Sequence, residues 1–271
     1  INPTSGTVLA ANIERLTYTG DKAFKGYGND SDNIITGGSG ADTLYGGGGA
    51  DQFIGGAGYD TAGYLDSKVG VTINLKTGIH SGIAAGDTFN GIEAISGSSS
   101  SDTFIGDGSG IDFDGGAGVD TVDYSTSTTA VNVDARMGVG TVGTGGDAEG
   151  TTLINIENII GSAFNDTFSV GPYTLPPTTI KLEGGGGDDI YYINMAATPA
   201  IIEQADGGDD EVRVSVINPN GGTVLAANIE RLTYTGDKAF KGYGNDSDNI
   251  ITGGSGADTL YGGGGADQFI G

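Results

Sequence analysis

The chain has 271 residues, of which 54 are glycine, and it carries 35 acidic against 11 basic side chains, for a net charge of −24. A charge this negative argues against nucleic acid and anionic membranes as partners. The lack of cysteine excludes disulfides and thiolate metal sites, and no apolar run approaches the roughly 18 residues of a membrane span. The same charge opposes folding by self-repulsion unless cations bind, and on the order of ten Ca²⁺ would nearly cancel it.

The first predicted elements are short strands in residues 7–20, and four consecutive nonapeptides follow at 28–63. They read GNDSDNIIT, GGSGADTLY, GGGGADQFI and GGAGYDTAG, close to the pattern Gly-Gly-x-Gly-x-Asp-x-U-x, in which U is a large apolar residue. Glycines supply the positive φ angles of a tight turn. Carbonyls exposed by such a turn, with one carboxylate, are the hard oxygen ligands that suit Ca²⁺. The candidate ligands at the aspartate position are Asn33, Asp42, Asp51 and Asp60.

Two nonapeptides are expected to make one coil, so residues two nonapeptides apart should stack. Asp51 then lies over Asn33, and each ion lies between the turns of successive coils. A flexible glycine-rich linker is the alternative interpretation, but a linker has no reason to repeat aspartate and an apolar residue in phase. The apolar U residues are predicted to face inward and to form a thin core: Ile35, Leu44 and Phe53.

A second module is predicted at 64–123. Val71, Ile73 and Leu75 alternate with polar residues, which indicates a half-buried strand. Residues 78–91 are expected to form a surface loop, in which His80 is exposed rather than a metal ligand or a catalytic base. Three further nonapeptides end the module, and the middle one, GDGSGIDFD, is out of phase at Ile111. The candidate ligands here are Asp102, Asp112 (in place of the expected carboxylate) and Asp120.

A third module is predicted at 124–216. The nonapeptides GSAFNDTFS and GGGGDDIYY, and the shorter motif ADGGDDEVRVSV, supply Asp166, Asp189 and Asp210 as candidate ligands. The proline-rich stretch 171–179 is predicted to be a rigid insertion and a module seam. An I-E-x-(I/L) motif, interpreted as a corner, precedes the nonapeptides at 13–16, 92–95, 156–159 and 229–232.

Residues 217–271 nearly copy residues 1–55, with 53 of 55 positions identical and only Thr4 and Ser5 replaced, by Asn220 and Gly221. The copy supplies the last candidate ligands, Asn249, Asp258 and Asp267. A repeat of 216 residues indicates tandem duplication, so the chain is predicted to divide at 1–63, 64–123, 124–216 and 217–271. Because it begins and ends within this pattern, we expect it to be a segment of a longer protein.

The run GGSGADTLYGGGGADQFIGGAGYD resembles the RTX proteins (repeats-in-toxin, the hemolysin-type calcium-binding family). The resemblance implies an all-β, right-handed parallel β-roll or β-helix solenoid with several Ca²⁺ ions in its nonapeptide turns. It also implies a bacterial protein that is secreted, through a type I system, to the cell surface or medium and folds there when it meets calcium.

Three classes of function fit these features. The first is a structural repeat of an extracellular fibre, adhesin stalk or surface-layer-like assembly, in which the chain's partner is a further copy of itself, head to tail. The second is a calcium-binding carrier region of a secreted enzyme or toxin, and the third is a ligand-binding adhesin module. The sequence contains neither HExxH nor G-x-S-x-G, so we do not expect the chain to be an enzyme.

Overall fold

The computed structural model describes residues 6–134, 143–171, 180–196, 199–218 and 221–271. Within these ranges the chain forms 27 short β-strands and two turns of 3-10 helix, Gly82–Ala84 and Gly146–Ala148. The prediction of an all-β chain is confirmed. Neither helical turn has the length that a bilayer crossing requires. The proline-rich stretch predicted to be a seam lies, beyond Gly171, outside the described residues.

The chain divides into two compact units, the first of which comprises residues 1–123 and 150–156. Its strands are β1 (Thr7–Val8), β2 (Arg15–Thr17), β3 (Lys25–Asn29), β4 (Ile34–Thr36), β5 (Thr43–Gly47), β6 (Gln52–Ile54), β7 (Thr61–Gly63), β8 (Thr72–Asn74), β9 (Thr88–Asn90), β10 (Ala94–Ser96), β11 (Thr103–Ile105), β12 (Asp112–Asp114), β13 (Thr121–Asp123) and β15 (Leu153–Ile154). They form parallel ladders in the orders β1-β3-β5-β7-β10-β12-β15, β2-β4-β6-β9 and β8-β11-β13.

The second unit comprises residues 124–149 and 157–271. Its strands are β14 (Asn132–Asp134), β16 (Asn158–Ile160), β17 (Thr167–Val170), β18 (Lys181–Glu183), β19 (Ile190–Ile193), β20 (Ala200–Ile202), β21 (Glu211–Val214), β22 (Thr223–Val224), β23 (Arg231–Tyr234), β24 (Lys241–Tyr243), β25 (Ile250–Thr252), β26 (Thr259–Tyr261) and β27 (Gln268–Ile270). They form parallel ladders in the orders β14-β17-β19-β21-β23-β25-β27, β16-β18-β20 and β22-β24-β26. Each unit is therefore a parallel β-solenoid.

The register within the nonapeptide block follows the predicted period. Ile35 pairs with Phe53 in the ladder of β4 and β6, and Leu44 pairs with Ala62 in that of β5 and β7. All four side chains are fully buried. Because successive side chains of a strand point to opposite faces, each of these three-residue stretches turns its central apolar side chain to the interior. The prediction that the U residues form the core is confirmed.

Glycine is required where the turns bend. In the turn before Asp51, Gly47 and Gly49 have φ angles of +92° and +104°, a region that other L-residues rarely adopt. The chain thus leaves one strand, reverses through the turn and enters the next strand at the aspartate position. That position comes directly before each strand and lies at the mouth of the turn.

The loop at 78–91 differs from its prediction. His80 is only 8% exposed, and its Nδ1 accepts the backbone N–H of Asn74 at 3.0 Å. An antiparallel bridge between Thr72 and Ser81 folds the loop back against the coil, where the imidazole lies 5.3 Å from the ring of Phe89. The expectation of an exposed His80 is therefore wrong, and burial lowers the pKa of this side chain.

Candidate metal centre

A ladder of side-chain hydrogen bonds joins the turns of successive coils. Oδ1 of Asp51 accepts the backbone N–H of Asn33 at 2.8 Å, and Oδ1 of Asp60 accepts that of Asp42 at 2.7 Å. The same bond links Asp120 to Asp102, at 2.7 Å, and Asp210 to Asp189, at 2.8 Å. Each of these side chains therefore lies in one coil and bonds the backbone of the preceding coil. Residues eighteen apart in the nonapeptide block stack as predicted.

The environment of the second carboxylate oxygen, Oδ2, differs from turn to turn. In some turns it accepts an N–H of its own turn, as Oδ2 of Asp42 does from Gly38 at 2.6 Å. In others it is buried and has no hydrogen-bond partner among the described residues, and these atoms are Oδ2 of Asp51, Asp60, Asp189 and Asp210. A buried, unsatisfied charged oxygen costs on the order of 1–3 kcal/mol or more. These atoms are the ones that a cation would satisfy.

The first glycine of each turn leaves a space lined by oxygen. A β-carbon at Gly37 would overlap both Oδ2 of Asp42 and the carbonyl oxygen of Gly55, one coil later. The same convergence of a turn's own carboxylate with a carbonyl of the next coil recurs at Gly97 and Gly161. Carboxylate and carbonyl oxygens in flexible loops are the ligands of Ca²⁺ rather than of thiophilic metals. The donor set therefore fits calcium.

Burial without a cation shifts the pKa values of these carboxyls upward. Desolvation, reinforced by the charge of Asp87, raises the pKa of Asp51 to about 7. Desolvation likewise raises the pKa of Asp189 to about 8, with Glu203 adding to the effect, and it raises the pKa values of Asp60 and Asp166. A bound divalent ion would favour the ionised form instead. The electrostatics of the turns are thus those of a site that needs positive charge.

The structure brings together most of the predicted ligands. The following side chains occupy the aspartate position and are buried: Asn33, Asp42, Asp51, Asp60, Asp102, Asp120, Asp166, Asp189, Asp210 and Asn249. Asp258 and Asp267 occupy the same position and are half-buried, and their Oδ1 atoms accept N–H groups of Phe240 and Asn249 at 2.9 and 3.0 Å. Their roles as calcium ligands stay predictions.

Two kinds of predicted ligand differ from the rest. Both polar atoms of the Asn249 amide are hydrogen-bonded. Its Oδ1 accepts the N–H of Asn245 at 2.8 Å, and its Nδ2 donates to the carbonyl of Ile229 at 2.9 Å. Asn33 makes the equivalent bond to the N–H of Asn29, at 2.7 Å. Asp112 lies within β12, one residue past the aspartate position, where Oδ1 accepts the N–H of Thr152 at 2.6 Å. The hydroxyl of Tyr59 donates to its other oxygen.

Several acidic residues at the aspartate position do not appear among the predicted ligands, and three of them make the ladder bond. Oε2 of Glu93 accepts the N–H of Asp60 at 2.7 Å, and Oε2 of Glu230 accepts that of Asp210 at 3.0 Å. Asp87 accepts the N–H of Asp51 at 2.7 Å. The I-E-x-(I/L) motif therefore corresponds to the second half of a nonapeptide, with glutamate in place of aspartate. Its glutamate and its last apolar residue have the same spacing as the aspartate and the U residue of the nonapeptide. That shared spacing was the signal that could have identified Glu93 and Glu230.

Comparison with known proteins agrees with this geometry. Residues 27–62 and 243–271 match the family model of the RTX calcium-binding nonapeptide repeat, in four copies. The chain is also 40% identical over 81 residues to the endo-1,3-1,4-beta-glycanase ExsH of Rhizobium meliloti (strain 1021). That match covers 30% of this chain and 16% of the glycanase. The nonapeptide match, together with the parallel β-solenoid that holds its turns, supports an RTX-type repeat protein.

Proposed function

We propose that this chain is a calcium-dependent structural repeat of an extracellular bacterial protein, and that its solenoid folds when Ca²⁺ occupies the stacked turns. The observation that supports this most strongly is the set of buried carboxylate oxygens without a hydrogen-bond partner in the described part of the chain, at Asp51, Asp60, Asp189 and Asp210. The turn carboxylates and the neighbouring carbonyls would hold the ion. Its chemistry is charge neutralisation and cross-linking of successive coils.

The metal-free chain has little to offset these buried charges. Each coil contributes few core side chains, and ordering 54 glycines costs more backbone entropy than ordering other residues does. A net charge of −24 adds self-repulsion. Where binding creates the site, binding free energy becomes folding free energy. Extracellular calcium modules bind at about 10⁻⁴–10⁻³ M, so the chain would stay unfolded in the cytosol and fold outside the cell.

A calcium titration of the full chain, followed by circular dichroism, tests this proposal. We expect β-structure to appear with added Ca²⁺ and to vanish with chelator. The variant Asp60→Ala should need more Ca²⁺ to reach the same signal, because it loses a carboxylate shared by two coils. Asp30→Ala removes the same charge from an exposed position and serves as the control. Equal titration midpoints for both variants and the wild type would reject the ligand assignment.

The 216-residue repeat supports a more specific proposal for the assembly. Solenoid repeats stack quasi-one-dimensionally, and a parallel ladder that pairs one coil with the next can also pair one repeat with the next. We propose that the repeats associate head to tail in a fibre, stalk or surface layer at the bacterial surface. Light scattering of the folded chain at increasing concentration tests this. A strictly monomeric particle in saturating calcium would count against it.

The glycanase match favours a second candidate, in which these repeats accompany a secreted enzyme as a calcium-binding carrier region. The match spans 81 residues and only 16% of that enzyme, so it carries no statement about catalysis by this chain. Sequencing the reading frame on both sides of the repeats distinguishes the candidates. A neighbouring glycoside hydrolase domain would support the carrier region, whereas further 216-residue repeats would support the structural array. A recognition domain there would instead favour a ligand-binding adhesin.

A further inference from the structure

The second unit contains a carboxylate cluster in which a glutamate outside the nonapeptide pattern joins two aspartates of the turns. Asp189, Glu203 and Asp210 each direct one oxygen to a common point, where the three atoms lie within 4.8 Å of one another. The three residues are 0%, 7% and 0% exposed. It is the one such group of three potential ligands found among the described residues.

The register explains how Glu203 enters a turn. Glu183 of β18 pairs with Ile202 of β20, so Glu203 occupies the position that Gly184 holds one coil earlier, the first glycine of the nonapeptide. A β-carbon at Gly184 would overlap Oε1 of Glu203, Oδ2 of Asp189 and the hydroxyl of Tyr191. The glycine of one coil thus makes room for the glutamate of the next.

The cluster holds three unsatisfied oxygens. Oδ2 of Asp189, Oε2 of Glu203 and Oδ2 of Asp210 are buried and have no hydrogen-bond partner among the described residues. The hydroxyl of Tyr191 donates to Oε1 of Glu203 and so fixes that carboxylate. The guanidinium of Arg213, in the same strand as Glu211, bonds Glu211, at 2.7 Å, and the hydroxyl of Tyr192, at 2.9 Å, rather than the cluster.

We propose that Asp189, Glu203 and Asp210 bind one Ca²⁺ through three side-chain carboxylates, and that this is the tightest calcium site of the described chain. The inference rests on the proposed calcium-dependent folding and adds a specific site to it. The number of charged ligands is what tunes calcium affinity across protein sites. A turn with one or two carboxylates has less charge to offer than this cluster, so the cluster fills first.

Calorimetric titration of the full chain with CaCl₂ tests the affinity. The wild type should show a first class of sites, of about one ion, at least about tenfold tighter than the rest. Glu203→Gln keeps the shape and the acceptor for Tyr191 but removes the third charge, so it should abolish this class. Glu183→Gln makes the same substitution on the neighbouring coil, at a half-exposed side chain paired with Lys181, and should retain the class.

Terbium luminescence gives a second readout that does not depend on folding of the Gln variant. Tb³⁺ occupies calcium sites and emits when a nearby tyrosine is excited, so the first equivalent should be sensitised by Tyr191. Tyr191→Phe should remove that emission, whereas Tyr192→Phe, at an exposed position, should leave both the emission and the tight calcium class unchanged.

The inference is overturned if Glu203→Gln keeps the tight class, or if Tyr191→Phe leaves the emission of the first Tb³⁺ equivalent intact. A wild type that folds with calcium but fills all sites in one class also refutes it, while leaving the proposed function standing. A wild type that binds no calcium refutes the proposed function itself.

Discussion

The substitution Asp51→Asn should change the stability of the solenoid in opposite directions with and without calcium. Asparagine keeps the Oδ1 that accepts the N–H of Asn33 but replaces the unsatisfied Oδ2 with an amide. Burial raises the pKa of Asp51 to about 7 from its ordinary value of 3.8. That difference corresponds to about 4 kcal/mol against the ionised, metal-free folded state above pH 7.

Part of this gain is lost because the new amide N–H₂ is itself buried. The amide of Asn249 shows how the fold can satisfy such a group, since its Nδ2 reaches the carbonyl of Ile229. An unsatisfied amide would cost on the order of 1–3 kcal/mol. The net expectation in chelator is therefore a stabilisation of about 2 kcal/mol for Asp51→Asn. In saturating calcium the variant should be less stable than the wild type, because the ion has lost a carboxylate.

Circular dichroism measures the stability of the variant in chelator and in calcium. Sucrose is added to both buffers so that the folded state is populated, since sucrose favours burial without binding the turns. In chelator at pH 8, the variant should reach the folded signal at a lower sucrose concentration than the wild type. In calcium it should unfold at a lower urea concentration. Asp32→Asn, on an exposed side chain that accepts the N–H of Ala50, should stay within about 0.5 kcal/mol of the wild type in both buffers. A variant destabilised in chelator, or unaffected in calcium, would refute the reasoning.

Three further predictions concern the turns, the core and pH. Gly46→Ala should lower the free energy of unfolding by about 2 kcal/mol and weaken calcium binding, because its β-carbon overlaps the Asp51 carboxylate. Gly48→Ala is the control, since a β-carbon there has only ordinary contacts at 3.8 Å. Equal calcium midpoints for the two variants would contradict this prediction. Phe53→Ala should destabilise the calcium-loaded chain by about 3–5 kcal/mol in urea unfolding, since the ring is fully buried against Phe89, and Phe164→Ala, at a 44% exposed ring, should not. In chelator with sucrose added to populate the folded state, β-structure should weaken as the pH rises from about 5 to about 8. The buried turn carboxyls have folded-state pKa values raised to between about 6 and about 8, so the folded state binds more protons than the unfolded state and loses stability as they leave. Structure that strengthens over this pH range without calcium would show that these carboxyls are not desolvated as described.

The parallel fold could be predicted because each nonapeptide letter has one local physical role. Leu44 and Phe53 are buried where the U position places them, and their ladders have the predicted register. The strands of this block pair with the strands of adjacent coils. A fold built only from such neighbours can be derived from its period.

The remainder depends on where the period breaks. In the second unit the ladder bonds join Asp166 to Asp189 over 23 residues and Asp189 to Asp210 over 21, so counting in eighteens does not find the partners. Glu203 stands where the pattern requires glycine, and only the register of β18 and β20 reveals that it fills the same position. Ile111 likewise takes the aspartate position, which leaves Asp112 in the following strand.

The hydrogen-bond ladder and the proposed ion sites use different oxygens of the same carboxylates, so we expect calcium to act on the fold as a whole. One oxygen of Asp51 bonds the backbone of the preceding coil, while the other has no hydrogen-bond partner among the described residues and is free to bind a cation. The N–H of Asp51 in turn donates to Asp87 of the next coil. An ion that fixes one carboxylate therefore orders the backbone on both sides of it, and the adjacent turns lose less entropy when they bind theirs. We therefore expect cooperative filling through this shared residue, which requires no contact between distant coils.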